Sequence, residues 1–195
     1  MSFSKTNPRF CPKCRLAKIH CVCEYFELFD NDNHLWLFQD PREKKKKNNT
    51  GYWATQFLSN YSYEDENLDG LFSKLNKINP EKVGILLPHN NSIELNEKNW
   101  GNRSELVVLD GTWSHVQKLL KTYDFDENHQ FYHISGLKSS FEIRKPPFEG
   151  AISTLNAISH FYKTIENFEE LEIKVQSLLQ NRIKIWKNAK VKKKD

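Results

Sequence analysis

Four short apolar runs, separated by longer stretches, most constrain the fold of this chain. They span residues 35–38, 83–87, 106–109 and 131–134, and each is followed by polar or turn-forming residues. A strand that is apolar throughout is typical of a parallel sheet buried on both faces. Because helical spacing follows several of these runs, we predict an α/β fold with a mainly parallel sheet covered by helices.

Helices are predicted where apolar residues recur every three or four positions. A chain of 195 residues fits one compact domain with room for a small appendage. We divide it into a cysteine-rich segment 1–30, a main domain 31–189 and a basic tail 190–195. The predicted helices span residues 52–58, 113–123, 152–165 and 168–186.

All four cysteines lie between residues 11 and 23. Cys11 and Cys14 form one short chelating pair, and Cys21 and Cys23 form a second. Four thiolates complete a tetrahedral shell around one Zn²⁺ and leave no position open for catalysis, so the metal would be structural. Free thiols are the alternative, and His20 ranks below the four cysteines as a ligand. We therefore predict that the segment 1–30 is a zinc knuckle.

The formal net charge of +4 is modest, but the basic residues are clustered. Lysines form a run at 44–47 and crowd the C-terminus from Lys187 onward. Solvated loops and tails are the favoured explanation of such runs, so the runs do not by themselves indicate RNA binding. The knuckle also carries basic residues that would suit a nucleic-acid backbone. These are Arg9, Lys13, Arg15 and Lys18.

The sequence also bears on the compartment. No stretch is long and apolar enough to span a membrane, and the first residues lack the apolar run of a secretory signal. A chain of this length forms a core without disulfides. We therefore expect a cytoplasmic protein.

Polar residues follow three of the apolar runs. Residues 41–43 have the sequence Pro-Arg-Glu, 88–90 Pro-His-Asn and 110–112 Asp-Gly-Thr. In open parallel sheets, ligands bind outside the carboxyl ends of the strands, so we expect these residues to line one pocket. The sequence has neither a Walker-type loop nor the glycine fingerprint of dinucleotide folds. This argues against a nucleotide bound chiefly through its phosphates, but not against a nucleoside-like cofactor that has none.

Further motifs occur in a definite order behind the four cysteines. They are Pro-Arg-Glu at 41–43, Asn-Thr-Gly at 49–51, Asp-Gly-Thr-Trp at 110–113, Arg-Lys-Pro-Pro at 144–147 and Ile-Ser-Thr-Leu-Asn-Ala at 152–157. From about Cys11 to about Tyr162, the chain resembles the DTW-domain family. Several ordered motifs make this resemblance far more specific than any single tetrapeptide.

The resemblance implies a tRNA-uridine aminocarboxypropyltransferase. Such an enzyme uses S-adenosylmethionine to place a 3-amino-3-carboxypropyl group on N3 of a uridine. The family is related to the SPOUT methyltransferases, so the resemblance also implies a trefoil knot, an exception to the usual rule of unthreaded chains. SPOUT relatives are often dimers, but for this chain we favour a monomer.

Asp110 is the residue that we assign to catalysis. The imide nitrogen of uridine is a poor nucleophile while protonated, and a carboxylate beside the base would accept its proton. The alternative is that Asp110 caps the helix that follows it or orients a ligand. Gly111, Thr112 and Trp113 follow in the same turn and are expected to contact the cofactor. For Trp113, stacking on a base competes with burial in the apolar stripe of the helix, and we favour burial.

Pro88 and four later residues complete the expected cofactor site. Arg144 and Lys145 offer cations for the carboxylate of the donor or for an RNA phosphate. A solvated loop is the alternative, and we favour the functional role slightly because two prolines stiffen the segment. Ser153 and Thr154 stand at the head of a helix. There, hydroxyl and backbone N–H groups would hold an anionic or adenosine group, or simply cap the helix.

Asn156 departs from the family pattern, in which we expect an acidic residue at this position. An amide keeps the hydrogen bonding of a carboxylate but not its charge. Two alternatives stay open: a SPOUT-like methyltransferase, which would attack the methyl carbon of the same donor, and a non-catalytic RNA-binding zinc protein. Arg42 and Glu43 are expected to pair or to contact RNA, and His89 to be a loop residue.

Overall fold

The structure is a computed structural model that describes residues 9–43, 46, 48–123, 125, 129–137 and 152–191, with side chains up to residue 188. Its strands are β1 (His34–Gln39), β2 (Tyr61–Glu64), β3 (Val83–Leu86), β4 (Ile93–Glu94), β5 (Glu105–Asp110) and β6 (Gln130–His133). They form one sheet in the order β2-β1-β5-β3-β6-β4, and every neighbouring pair is parallel. The four apolar runs lie in β1, β3, β5 and β6, which confirms the predicted α/β fold.

Six α-helices accompany the described strands. They are α1 (Thr50–Ala54), α2 (Leu68–Leu75), α3 (Glu97–Trp100), α4 (Trp113–Thr122), α5 (Thr154–Glu166) and α6 (Glu169–Val191). The four predicted helices are confirmed, although α1 is shorter than expected and begins two residues earlier. Two helices, α2 and α3, were not predicted.

The sheet is buried on both faces, and β1 and β5 carry apolar residues on both sides. Neighbouring residues of β1, such as Leu37 and Phe38, enter different cores. The core around Leu37 lies beneath α1, α5 and α6. The core around Phe38 lies beneath α2 and α4. Burial on both faces is the physical reason for the continuous apolar runs.

The cysteine-rich segment packs on the first of these cores. Cys14, Leu16 and Val22 are buried there. The indole nitrogen of Trp53, in α1, donates a hydrogen bond to the backbone oxygen of Cys14 at 3.0 Å. The segment is therefore tied directly to α1, while its predicted boundary at residue 30, like that at 189, stays a prediction.

The connections that leave β1 and β5 cross the sheet in opposite directions. The connection after β1 passes through α1 to β2 on one side, whereas the connection after β5 passes through α4 to β6 on the other. The register pairs Gln39 with Asp110, the last residues of the two strands. Adjacent strands whose connections diverge leave a crevice at their carboxyl ends, which is the usual ligand site of an open parallel sheet.

Some predictions fall outside the described residues. The trefoil knot stays a prediction, because residues 138–151, which join β6 to α5, are among them. The same holds for most of the lysine run at 44–47 and for residues 192–195 of the basic tail. Within the described part of the chain, none of the helices combines the length and the apolar character needed to cross a membrane.

Candidate functional site

Asp110 ends β5 and belongs to a hydrogen-bond network at the carboxyl edge of the sheet. Its Oδ2 accepts a hydrogen bond from Nε2 of Gln39 at 2.6 Å. Its Oδ1 accepts one from the hydroxyl of Thr154, the first residue of α5. Only 8% of Asp110 is exposed. Because each oxygen has a partner on a different element, the carboxylate is held in one orientation.

Gln39 and Asn49 form a reciprocal amide pair beside Asp110. Nε2 of Gln39 donates to Oδ1 of Asn49 at 2.7 Å, and Nδ2 of Asn49 donates to Oε1 of Gln39 at 2.8 Å. Oδ1 of Asn49 also accepts the backbone N–H of Tyr52 at 2.9 Å and so caps α1. The head of α1 is thereby fixed to the end of β1.

Gly51 lies directly against the carboxylate of Asp110. A Cβ at this position would overlap Oδ2 of Asp110 and lie 2.7 Å from its Cγ and 3.1 Å from Nε2 of Gln39. Only glycine therefore leaves the carboxylate where it is, since glycine alone has no Cβ. The Asn-Thr-Gly motif and the Asp-Gly-Thr-Trp motif, distant in sequence, form one site.

Asp40 places a second buried carboxylate next to the first. Its backbone N–H donates to the backbone oxygen of Asp110 at 2.9 Å. Nε and Nη2 of Arg42 donate to its two oxygens at 2.9 and 3.0 Å, and these hydrogen bonds lower the pKa of Asp40. A Cβ on Gly111 would lie 3.2 Å from Cβ of His115 and 3.4 Å from Cβ of Asp40. The turns that follow β1 and β5 are thus closely packed.

Tyr63, in β2, extends the network to the edge strand. Its hydroxyl oxygen lies 2.9 Å from both Oε1 of Gln39 and Oδ2 of Asp65. Burial and the negative charge of Asp65 raise the pKa of Tyr63 well above its usual value, and the guanidinium of Arg15 opposes that rise. Tyr63 is therefore a neutral hydrogen-bond donor at physiological pH.

Asn156 is buried close to Thr154, but its side-chain amide is unpaired. Only 1% of Asn156 is exposed, and neither Nδ2 nor Oδ1 has a hydrogen-bond partner among the described residues. Its backbone N–H donates to the hydroxyl of Ser153 at 3.2 Å, which caps α5. Because most buried amides are paired, an unpaired one is a place where a ligand would complete the structure.

The structure places the predicted Asp-Gly-Thr-Trp turn at this site, with two differences from the alternatives that the sequence raised. Thr112, rather than Asp110, is the N-cap of α4, and it makes no capping hydrogen bond through its side chain. Trp113 is 38% exposed, so its predicted burial is wrong. Side chains of a helix lean toward its N-terminus, so the first residue projects beyond the sheet, while Val116 and Leu119 are buried.

The other expected cofactor residues differ in what the structure shows of them. Pro88 is exposed after β3. Ser153 caps α5, as one of its two predicted roles required, whereas Thr154 donates to Asp110. Arg144 and Lys145 lie outside the described residues. Their contact with a ligand stays a prediction.

Arg42 and Glu43 pair with separate partners rather than chiefly with each other. Arg42 pairs with Asp40, and Glu43 pairs with Lys46. His89 is an exposed loop residue, as predicted, and its ring stacks on Phe131 with 4.6 Å between the centroids.

Gln39, Asp40 and Tyr63 are site residues that sequence reasoning missed. Gln39 and Asp40 directly follow an apolar run, which was a usable signal, because polar residues in that position begin the carboxyl edge. Tyr63 gave no such signal. It lies in β2, whose Tyr-Ser-Tyr-Glu sequence is not continuously apolar.

The four cysteines come together as predicted. The sulfur atoms of Cys11 and Cys23 are 3.5 Å apart, those of Cys14 and Cys21 are 3.8 Å apart, and all four lie within 4.8 Å of one another. Thiolates bound to Zn²⁺ at about 2.3 Å form a tetrahedron whose edges are about 3.8 Å. The cluster, which does not include His20, therefore fits one metal ion.

The thiols of this cluster differ in acidity. Burial raises the pKa of Cys11, but hydrogen bonds from the backbone of Cys14 and from the thiol of Cys23 outweigh it and lower the value to about 6. Burial raises the pKa of Cys14 and of Cys23. A bound cation would favour the thiolate form of all four, so metal binding is coupled to proton release.

Fold and site together define a parallel α/β protein with a candidate ligand site at the switch point between β1 and β5 and a cysteine cluster whose geometry fits a metal ion. The sequence profile of the DTW domain matches residues 8–185. The chain therefore belongs to the DTW-domain family, the tRNA aminocarboxypropyltransferase family, whose members modify tRNA. Searches of curated proteins and of solved structures found no match.

Proposed function

We propose that the protein transfers the 3-amino-3-carboxypropyl group of S-adenosylmethionine to N3 of a uridine in tRNA and releases 5'-methylthioadenosine. The observation that supports this most is the convergence of family motifs on one buried carboxylate. Asp110 is held by Gln39 and Thr154, and Gly51 packs against it. In this proposal the reaction takes place in the cytoplasm.

The reaction requires little covalent chemistry from the protein. The bond from sulfur to the γ-carbon of the donor breaks, the bond from that carbon to N3 of uridine forms, and the proton of N3 leaves to a base. Because a sulfonium is already a good leaving group, the protein mainly positions the two reactants and accepts the proton. Asp110 is the proposed base, since its orientation is fixed by hydrogen bonds from two other elements.

Residues around Asp110 are proposed to hold the donor. Gly111, Thr112 and Trp113 border the crevice from the side of β5, and Trp113, which is 38% exposed, is proposed to stack on the adenine or on the target base. The remaining proposed contacts come from the loop after β3 and from the segment before and at the start of α5. They are Pro88, Arg144, Lys145, Ser153 and Thr154.

The cysteine cluster is proposed to hold a structural zinc ion. Four thiolates fill its coordination shell, so the ion would contribute to folding and not to the chemistry. Basic residues around the cluster would contact the tRNA backbone.

The decisive experiment is mass spectrometry of nucleosides from tRNA incubated with the zinc-loaded protein and S-adenosylmethionine. Aminocarboxypropyl-uridine is the expected product. A methylated nucleoside would instead identify a SPOUT-like methyltransferase. If calorimetry detects no binding of S-adenosylmethionine, the proposed reaction is excluded in favour of a non-catalytic RNA-binding protein.

Asp110→Asn tests the proposed base. This variant should fold and bind S-adenosylmethionine nearly as well as the wild type, while transfer to tRNA falls by about 10²- to 10⁴-fold, the usual contribution of general base catalysis. Asp69→Asn is the matched control, because Asp69 accepts a hydrogen bond from Tyr123 on the opposite face of the sheet. Wild-type turnover by Asp110→Asn would remove the assignment.

A further inference from the structure

Arg15 reaches the site from the cysteine-rich segment. It follows Cys14 directly, and its backbone N–H donates to the backbone oxygen of Cys11 at 2.9 Å. Its φ of +62° is uncommon for a residue other than glycine. Such a conformation persists only where its surroundings impose it. The turn that brings the cysteines together thus also fixes the backbone from which Arg15 extends.

The guanidinium of Arg15 lies over an aromatic ring that borders the site. Its central carbon is 3.5 Å from the centroid of the Tyr52 ring, and Tyr52 immediately follows Gly51, which touches Asp110. The same guanidinium is close enough to the hydroxyl of Tyr63 to affect its ionisation. Stacking on Tyr52 restrains the plane of the guanidinium but uses none of its N–H groups.

This guanidinium is held without an acidic partner. Arg15 forms no salt bridge with any carboxylate in the described part of the chain. Its Nη1 is excluded from solvent and has no hydrogen-bond partner among the described residues. A buried cationic donor without an acceptor is unfavourable unless a ligand supplies one. A carboxylate or a phosphate would do so, because both match the fork of the guanidinium.

Arg15 is connected to Asp110 through only two intervening side chains. Tyr63, beside Arg15, lies 2.9 Å from Oε1 of Gln39, and Nε2 of Gln39 donates to Asp110 at 2.6 Å. We take this connection as the reason to place the far end of a ligand that reacts at Asp110 beside Arg15. Both substrates of the proposed reaction carry an oxyanion away from the reacting atoms: the α-carboxylate of the donor and the phosphates of the RNA.

We infer that Arg15 is an oxyanion-binding residue of the active site, contributed by the metal-binding segment. The cysteine cluster then has a role in substrate binding beyond stabilising the fold, because it fixes the turn that carries Arg15. This inference rests on the proposed function for the identity of the substrates. The geometry itself specifies only the class of ligand, a carboxylate or a phosphate.

The test compares Arg15→Gln with the wild type in two binding measurements on the zinc-loaded protein. If the oxyanion is the donor carboxylate, the variant binds S-adenosylmethionine about 10- to 100-fold more weakly, as for a lost charge-assisted hydrogen bond. It then binds decarboxylated S-adenosylmethionine as the wild type does. If the oxyanion is a phosphate, tRNA binding weakens and the slope of log K against log salt concentration falls by about one.

Arg103→Gln is the matched control. Arg103 is also half-buried, and its guanidinium lies 5.7 Å from the ring centroid of Tyr132. Its Nε, like Nη1 of Arg15, is buried without a partner among the described residues, but it lies far from Asp110, so the control separates an unpaired guanidinium from one placed at the site. Arg103 donates to the backbone oxygen of Trp100 at 3.0 Å, at the amino end of the sheet. The control should leave both affinities unchanged. An equal loss in the control, or affinities of Arg15→Gln within about twofold of wild type in both measurements, would overturn the inference.

Further measurements distinguish a failure of this inference from misfolding of the variant and from a failure of the proposed function. Zinc content and thermal unfolding show whether Arg15→Gln retains its fold. If it does not, Arg15→Lys keeps the charge, and it should still weaken the same ligand because lysine lacks the planar fork; unchanged affinity in Arg15→Lys would then overturn the inference. Transfer by the wild-type protein is measured in parallel, so that failure of the proposed function is seen in the wild type and failure of the inference only in the variants.

Discussion

The two ends of the sheet differ in how completely their buried polar groups are paired. At the amino end, Oδ1 of Asn31 accepts the backbone N–H groups of Ser59 and Asn60 at 3.1 and 3.0 Å. Its Nδ2 donates to the backbone oxygens of Asn33 and Asn60 at 2.7 and 2.9 Å. The amide of Asn31 therefore uses its full hydrogen-bonding capacity.

Glu166, in the last turn of α5, completes this amino-end network. Its Oε1 accepts the backbone and side-chain N–H groups of Asn33 at 2.7 and 2.8 Å, and its Oε2 accepts the backbone N–H of Asp32 at 3.1 Å. The indole of Trp100 donates to Oδ1 of Asn33 at 2.9 Å. Every member named here has a partner within the chain, although beside this network Nε of Arg103 is a buried donor without one among the described residues.

The carboxyl-end network, formed by Gln39, Asn49, Tyr63, Asp110 and Thr154, is bordered by groups that lack such partners. Asn156 has an unpaired amide, and Nη1 of Arg15 is unpaired among the described residues. Arg182, in α6, is only 7% exposed. It donates through Nη2 to Oδ1 of Asn48 at 2.9 Å, while its Nε and Nη1 have no partner in that part of the chain.

The comparison indicates that the two ends serve different purposes. A fully paired network stabilises one conformation, whereas buried groups left unpaired lower stability and are kept where function requires them. Both networks contact α5, which holds Asp110 through Thr154 at one end and Asn33 through Glu166 at the other. The same helix thus fixes the fold and the site.

Removal of the metal should have the largest effect, and it should fall on the carboxyl end. A structural zinc ion contributes several kcal/mol to folding, which corresponds to a loss on the order of 10 °C in Tm. Without it, the turn that holds Cys14 against Trp53 is released, and α1 loses support. Amide hydrogen exchange after chelation should show α1 exchanging faster, while the amides of Asn33 and Asn60 are protected.

Adding zinc back is the control for this prediction and should restore both Tm and exchange rates. Metal analysis should find about one zinc ion per chain. A metal-free protein with unchanged Tm would show that the cluster has no structural role. Equal loss of protection at the two ends would show that the segment supports the whole fold and not the site in particular.

Asn31→Leu and Asn156→Leu test the contrast in pairing directly. Leucine at 31 would leave several buried backbone groups without partners, and we expect the free energy of unfolding to fall by about 3 kcal/mol. Leucine at 156 removes an amide that pairs with no described residue, so stability should change by less than about 1 kcal/mol or increase.

Binding of S-adenosylmethionine should be affected in the opposite order, more by Asn156→Leu than by Asn31→Leu. Asn156→Leu should bind S-adenosylmethionine at least about tenfold more weakly, as expected when a polar ligand contact is lost, whereas Asn31→Leu, below its unfolding temperature, should bind it normally. Denaturant unfolding and calorimetry measure the two quantities. A loss of about 3 kcal/mol in Asn156→Leu would mean that its amide is paired within the chain.

Much of this fold follows from its sequence, but the site follows only in part. The strands with continuous apolar runs are buried on both faces, and that is why they are recognisable. β2 is an edge strand with a partly exposed, polar sequence, and β4 has two residues, so neither produces a clear pattern. Asp110 was found because it directly follows an apolar run and also lies in a family motif, and Thr154 was found at the predicted head of a helix within another family motif.

The partners of Asp110 could not be predicted in the same way. That Gln39 lies beside Asp110 depends on the register of two strands separated by 65 intervening residues, and no local pattern encodes that register. Arg15 was recognisable only as a basic neighbour of the cysteines. Its place over Tyr52 depends on how the cysteine-rich segment packs on α1, which is a property of the whole core.

Two glycines give the last and smallest test, because each makes room for a member of one network. A Cβ on Gly84 would overlap the ring of Trp100, which donates to Asn33 at the amino end; a Cβ on Gly51 would overlap the carboxylate of Asp110. The indole is buried and rigid, so Gly84→Ala should lower the free energy of unfolding by about 1–3 kcal/mol. A carboxylate turns away more easily, so Gly51→Ala should cost less stability but move the proposed base from its position.

Gly51→Ala should therefore reduce transfer by about 100-fold or more, because a misplaced catalytic group loses most of its effect. Gly84→Ala, assayed well below its Tm, should retain near-normal transfer. Thermal unfolding and single-turnover transfer to tRNA provide the two measurements. Normal transfer by Gly51→Ala would mean that the position of the Asp110 carboxylate does not matter for the reaction. Loss of transfer in a stable Gly84→Ala would mean that the two ends of the sheet are coupled through α5 and do not serve separate purposes.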